Sequence, residues 1–200
     1  MNAHHHELNL VVDIQSPREL VVEKRFKPPE SLRYPHDFKR TPSGTRLVGF
    51  LRSDGPSPDP SEDLMPGGHG GIAEYTKDGE FIRSVSAAVP GLKKAVRPYA
   101  FALLPEQDRF LITSAPMHEN SWADVVQIYR YSDFTLLHTL ELPVGRLANG
   151  EVQEGSQKAG FGPRVLDDGS VFLNSYGCAF YHVTGIDTVS YTHLTLPTKA

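Results

Sequence analysis

The chain has 200 residues, 39% of them apolar and 22% charged, with a formal net charge of −4 and a pI near 6.1. That length is enough for one domain with its own core, and the charge excludes the basic footprint of a nucleic-acid-binding protein. No apolar run is long enough to cross a membrane, and the single cysteine, Cys178, excludes an internal disulfide and a cysteine-based zinc cluster.

Sixteen prolines and seventeen glycines gather between short apolar runs, which favours an all-β, turn-rich class. Asn9–Ile14 and Leu20–Phe26 read as strands joined at Ser16-Pro17, and Pro28-Pro29 ends the second because proline cannot donate to a ladder. A new unit begins at Arg33–Phe38, turns at Ser43-Gly44 and continues through Thr45–Leu51. Ser53–Gly71, with four prolines and five glycines, reads as a loop into Ile72–Tyr75. Asp78-Gly79 then predicts a hairpin to Phe81–Val85.

Further strands are expected at Tyr99–Leu104, Arg109–Ser114, Val125–Tyr131 and Phe134–Leu142. Val144–Gly160 reads as loop, followed by strands at Pro163–Leu166, Ser170–Asn174 and Ala179–Val183. No segment holds a helical period, although Ser86–Val96 has room for one short turn.

The strands recur. Leu47-Val48, Leu111-Ile112 and Val171-Phe172 fall at offsets of 64 and 60, and Val12-Asp13, Glu74-Tyr75 and Ile128-Tyr129 at 62 and 54. A period of roughly 50 to 60 residues with four short strands predicts a β-propeller with long loops. Residues 1–188 then supply about three to four blades of an incomplete propeller. Full blades are expected at Arg33–Val85 and Arg97–Leu142, with a third starting at Phe161 and stopping after its third strand.

The last twelve residues, VSYTHLTLPTKA, differ from everything before them. They resemble the conceptual translation of a sequencing adapter, so 189–200 is read as a scar rather than native chain. On this reading the chain is a fragment, expected to expose unpaired edges and aggregate. The N-terminus shows no basic region followed by an apolar core, and its natural beginning is expected upstream. A soluble protein of the cytoplasm or periplasm is anticipated.

In a propeller, loops entering first strands and loops joining second to third strands emerge on one face. Six of the nine histidines fall there: His4, His5, His6, His36, His69 and His118. Imidazoles gathered at one rim suit a transition metal or acid–base chemistry near neutral pH. His36, His69 and His118 are the candidate metal ligands, with His5 and His6 as weaker ones. Asp37 and Glu119 stand beside two of them as candidate orienting carboxylates.

The alternatives are plain ones. Histidines in polar loops are commonly just solvated. Gly67–Gly71 lacks the helix and Lys-Ser/Thr of a phosphate loop, so its glycines are read as letting backbone pack closely. Cys178 is read as a buried small hydrophobe. Arg97 and Arg164 either line a channel or pair with loop carboxylates, and Met117 and Trp122 either roof a pocket or fill core. Ser114 and Ser175 lie near histidines, but no Gly-x-Ser-x-Gly turn supports a hydrolase.

Tyr34-Pro-His36 with Pro42-Ser-Gly-Thr45, Pro66-Gly-Gly-His-Gly-Gly-Ile-Ala-Glu-Tyr75, Arg97-Pro-Tyr-Ala-Phe101 running to Leu111-Ile-Thr-Ser114, and Asn174-Ser-Tyr-Gly-Cys178 occur in that order. Together they resemble the selenium-binding protein and methanethiol oxidase family, over most of Leu8–Asp187. The resemblance implies a seven-bladed propeller when complete, a histidine-bound copper near its axis, and oxidation of a small thiol with O₂. Only His36 matches a histidine of that family's metal motif; Lys39 and Arg40 stand where a second histidine and a cysteine belong. The two expectations are therefore a copper-dependent thiol oxidase and a non-catalytic propeller that binds a small ligand or a protein partner.

Overall fold

The computed structural model describes residues 2–3, 8–13, 21–26, 28–29, 31–59, 67–114, 123–147, 149–154, 160–175, 180–184 and 190–194. They are all-β apart from one helical turn, and they group into two compact units, Met1–Pro98 and Tyr99–Ala200. No helix among the described residues is long and apolar enough to cross a membrane.

In the first unit β1 (Asn2–Ala3), β2 (Leu8–Asp13) and β3 (Val21–Phe26) form an antiparallel sheet in chain order. A four-stranded antiparallel meander follows: β4 (Leu32–Arg40), β5 (Arg46–Ser53), β6 (Gly71–Tyr75) and β7 (Phe81–Ser86). The apolar run of β5 and all five residues of β6 are buried, whereas β7 is exposed or half-buried throughout. Inner strands covered on both faces read as continuous apolar runs, which is why β5 and β6 were legible without alternation. Leu32, Val48, Phe50, Ala73 and Tyr75 make the core of this sheet.

The second unit holds β8 (Pro98–Leu104), a 3₁₀ turn at Pro105–Gln107, β9 (Arg109–Ser114), β10 (Val125–Arg130) and β11 (Leu136–Glu141) in a second four-stranded meander. After it come a short ribbon of β12 (Gly145–Arg146) and β13 (Val152–Gln153), then a third meander of β14 (Arg164–Val165), β15 (Val171–Asn174), β16 (Phe180–Thr184) and β17 (Ser190–Leu194). Leu111, Val126, Ile128, Val171, Leu173, Tyr181 and Val183 share one buried cluster.

The expected grammar of strand, tight turn, strand is present. At Thr41–Thr45, Thr76–Glu80, Leu147–Glu151 and Leu166–Ser170 the first residue's N–H donates to the last residue's carbonyl, and a glycine before the last residue donates back. Those four glycines have φ between 78° and 87°, the left-handed region where any Cβ is penalised.

Four expectations are revised. The first strand of the Arg33 unit runs the full length of β4, so His36 lies inside a strand rather than in a loop entering one. Val144–Gly160 contains a paired ribbon, because Asn149-Gly150 closes a hairpin that its polar composition disguised. Ser86–Val96 holds no helix; the helical turn lies at Pro105–Gln107 instead. The third meander does not stop at three strands, since Ser190–Leu194 pairs with β16 over five residues. Its backbone position is separate from its origin.

Candidate functional site

His36 stands on a β-bulge. Pro35 pairs with Phe50 and Phe38 with Val48, so His36 and Asp37 together face the single residue Gly49. A bulge of this kind bends its strand and re-aims the extra side chain. Just before it, Tyr34 is held at φ 57°, one of three non-glycine residues with positive φ among those described. The Arg52 guanidinium lies over the Tyr34 ring, 4.5 Å from its centroid, close enough for a cation–π attraction that helps hold the conformation. Asp37 accepts the Phe38 N–H at 2.8 Å and sits 3.5 Å from Lys39 Nζ.

His69 has a different environment. The Val96 N–H donates to its Nδ1 at 3.1 Å. A neutral imidazole has one lone-pair nitrogen, so Nε2 carries the hydrogen and the ring serves as a donor there. Burial and the nearby Arg97 guanidinium both hold its imidazolium below the ordinary histidine range.

Arg97 is fully buried, and its guanidinium donates to the carbonyls of Leu51 at 3.0 Å, Gly68 at 2.5 Å and Gly67 at 3.2 Å. Full burial corrects the reading of Arg97 as a channel-lining cation, and these three contacts are to backbone. Its planar fork reaches carbonyls from two neighbouring segments at once, adding to the bond that the Gly68 carbonyl accepts from the Ser53 N–H.

The glycines beside it are needed for the same closeness. A Cβ at Gly70 would overlap the Phe50 carbonyl oxygen, and one at Gly68 would lie 2.5 Å from Ser53 Oγ. Close backbone approach, not phosphate binding, accounts for Gly67–Gly71.

Strand register keeps the two described candidate ligands apart. His36 is level with Gly49 on β5, and His69 is level with Arg52 by continuation of the β5–β6 pairing through the Ser53–Gly68 bridge. Two inter-strand spacings and three residues of rise separate their Cα atoms by roughly 14 Å. His118, His5, His6, Glu119, Cys178, Met117 and Trp122 lie outside the described residues.

These residues do not fit a resident copper by themselves. The lone pair of His69 is committed to Val96, and among the described residues no three His, Cys, Asp or Glu side chains gather as a metal group. A copper held through His36 therefore requires ligands from outside the described residues.

Ser114 and Ser175 are buried at the ends of their strands. The arrangement that sequence reading missed is Asp168–Ser170–His182. Ser170 Oγ donates to Asp168 Oδ1 at 2.5 Å and lies 2.6 Å from His182 Nε2. With its proton on the carboxylate side, the hydroxyl accepts from the imidazole, so His182 is not placed as its base. The Ser170 hydrogen bonds and the imidazole hold the Asp168 carboxyl below its ordinary value.

The same tie recurs in the first unit. Thr45, two residues ahead of Leu47, donates to Glu74, the partner of Leu47, at 2.5 Å. Ser170, two residues ahead of Phe172, meets His182, the partner of Phe172. Each fastens the hairpin between first and second strands to the third strand, a structural job. The signal for it was the hydroxyl closing each turn.

No protein-family model and no curated protein matches this chain. Among solved structures it is similar to a protein of unknown function from Bacteroides caccae, at 11% identity and a TM-score of 0.54, over 88% of this chain and 53% of that one. It is also similar to a protein from Lactobacillus plantarum, at 14% identity and a TM-score of 0.55, over 90% and 46%. The chain thus spans about half the length of each, and the likeness is one of β-rich fold, which carries no activity with it.

Proposed function

We propose that this chain is part of a β-propeller that works as a binding scaffold for a small ligand or a protein partner, with the His36 bulge as its contact point. The observation that supports this is the pairing of strain with display. Tyr34 sits in the left-handed region two residues before a half-buried histidine on a bulge, with Pro35 between them. Backbone strain of this kind costs about 1–3 kcal/mol and collects where a ligand or switch needs it. The repeating four-stranded meanders supply the propeller part of the reading.

The second reading is a copper-dependent oxidase of a small thiol, resembling the methanethiol oxidase family, with His36 as this chain's own ligand. It is favoured by the matching Pro-His segment and by the bulge that turns His36 out of the ladder.

Copper content and methanethiol consumption, measured on the protein and on His36→Ala, separate the two. The scaffold reading expects neither copper uptake nor thiol consumption to change with the substitution. One copper per chain that is lost with His36→Ala would establish the oxidase reading and overturn the first.

A further inference from the structure

Outer strands of the meanders are specified weakly by their side chains. In β6 and β10 every residue but Arg130 is buried, whereas in the adjoining outer strands β7 and β11 every residue is exposed or half-buried. The outer sequences FIRSVS, LLHTLE and SYTHL share little beyond strand propensity. Such a position is held mainly by ladder hydrogen bonds, which any extended backbone supplies.

The edge of β16 shows this most clearly. Five pairs, from Phe180 with Leu194 to Thr184 with Ser190, seat β17 on it, although the segment containing β17 resembles nothing earlier in the chain. Within β16, Tyr181 and Val183 are buried in the unit's core, and on the side away from β17 the strand pairs with Leu173 and Phe172 of β15. The accepting strand is therefore fixed by packing whether or not β17 is seated.

We propose that the outer edge of β16 is a strand-accepting surface that takes a short, extended, proline-free peptide of low charge through backbone hydrogen bonds, a slot that Ser190–Leu194 occupies in this chain. The partner class is an extended peptide added in trans, and β17 acts as the resident competitor.

The experiment uses the full chain and a fluorescent peptide of sequence VSYTHLT. Thr192→Pro places a proline, whose ring fixes φ and cannot donate, in the middle of the resident strand and is chosen to unseat it. Expected is binding at least tenfold tighter to Thr192→Pro than to the unaltered chain, with no binding of a peptide carrying proline at the same place. Equal binding by both chains, or none by a Thr192→Pro chain that keeps its far-ultraviolet β signal, overturns the proposal.

Should that variant lose its β signal, a reversible staple decides. Thr184→Cys with Ser190→Cys, in a Cys178→Ser background, joins Cα partners at a distance a disulfide spans. Peptide at millimolar concentration should bind the reduced chain and be excluded from the oxidised one. No binding when reduced, or binding indifferent to oxidation, overturns it equally.

Discussion

The meanders β4–β7 and β8–β11 have the same strand order but are held together by different chemistry. In the first, polar groups do much of the fastening: Glu74, 4% exposed, takes hydrogen bonds from Thr45 at 2.5 Å and Arg83 at 2.7 Å, while Arg97 gathers three carbonyls. In the second, aromatic rings do it. Phe110 stacks on Tyr129 at 5.0 Å and meets Phe134 edge-on at 5.4 Å and Phe101 at 6.3 Å. One topology thus accepts two solutions, because the ladder sets strand order while side chains need only fill the space or satisfy the polar groups left in it.

The comparison can be broken most forcefully at Phe110. Phe110→Ala removes a fully buried ring and should destabilise the protein by about 3–5 kcal/mol. Hydrogen exchange read by mass spectrometry should show the loss across residues 98–141, with 71–86 keeping its protection. Arg97→Met comes next, at about 3 kcal/mol, because it strands buried carbonyls. Its loss should appear at residues 67–71 and 96 and spare β9 and β10; identical exchange patterns for the two variants would show that the sheets are not fastened separately. Glu74→Gln weakens one ion pair and should cost about 1–2 kcal/mol, seen as a lower denaturant midpoint with an unchanged slope.

pH sharpens the contrast with the smallest effect. The folded imidazolium of His69 lies below the ordinary 6.5, so within that window the unfolded chain binds a proton that the native one does not. Stability from this group therefore rises with pH up to about 6.5 and is flat above. Protection around residues 67–71 should fall on mild acidification, and His69→Gln should remove that dependence. In the second unit the Asp133 carboxyl is held at about 2 from 3.8, chiefly by the Thr135 N–H and hydroxyl and then by Arg130. Its contribution is present above 3.8 and lost as pH falls toward 2, so the turn at residues 131–135 should not respond until that lower range.

Hairpins and inner strands were readable directly from residue order. Asp78-Gly79 and Asp168-Gly169 specify turns through local backbone sterics, and the apolar runs of β5 and β9 report burial on both faces. The starts of β5, β9 and β15 at Arg46, Arg109 and Val171 keep the expected repeat to within two residues. These features are local, so neighbouring residues carry their cause.

What only the tertiary structure decided are the pairings between distant residues. That Arg97 meets the carbonyls of Leu51, Gly67 and Gly68, that the lone pair of His69 goes to the Val96 N–H, and that His36 falls on a bulge opposite Gly49 all depend on register between strands many residues apart. A histidine written in a polar loop looks the same whether its ring will hold a metal, donate to a ligand or cap a backbone amide. The choice is made by which donor the fold brings within hydrogen-bond reach, and residue order alone does not encode that distance.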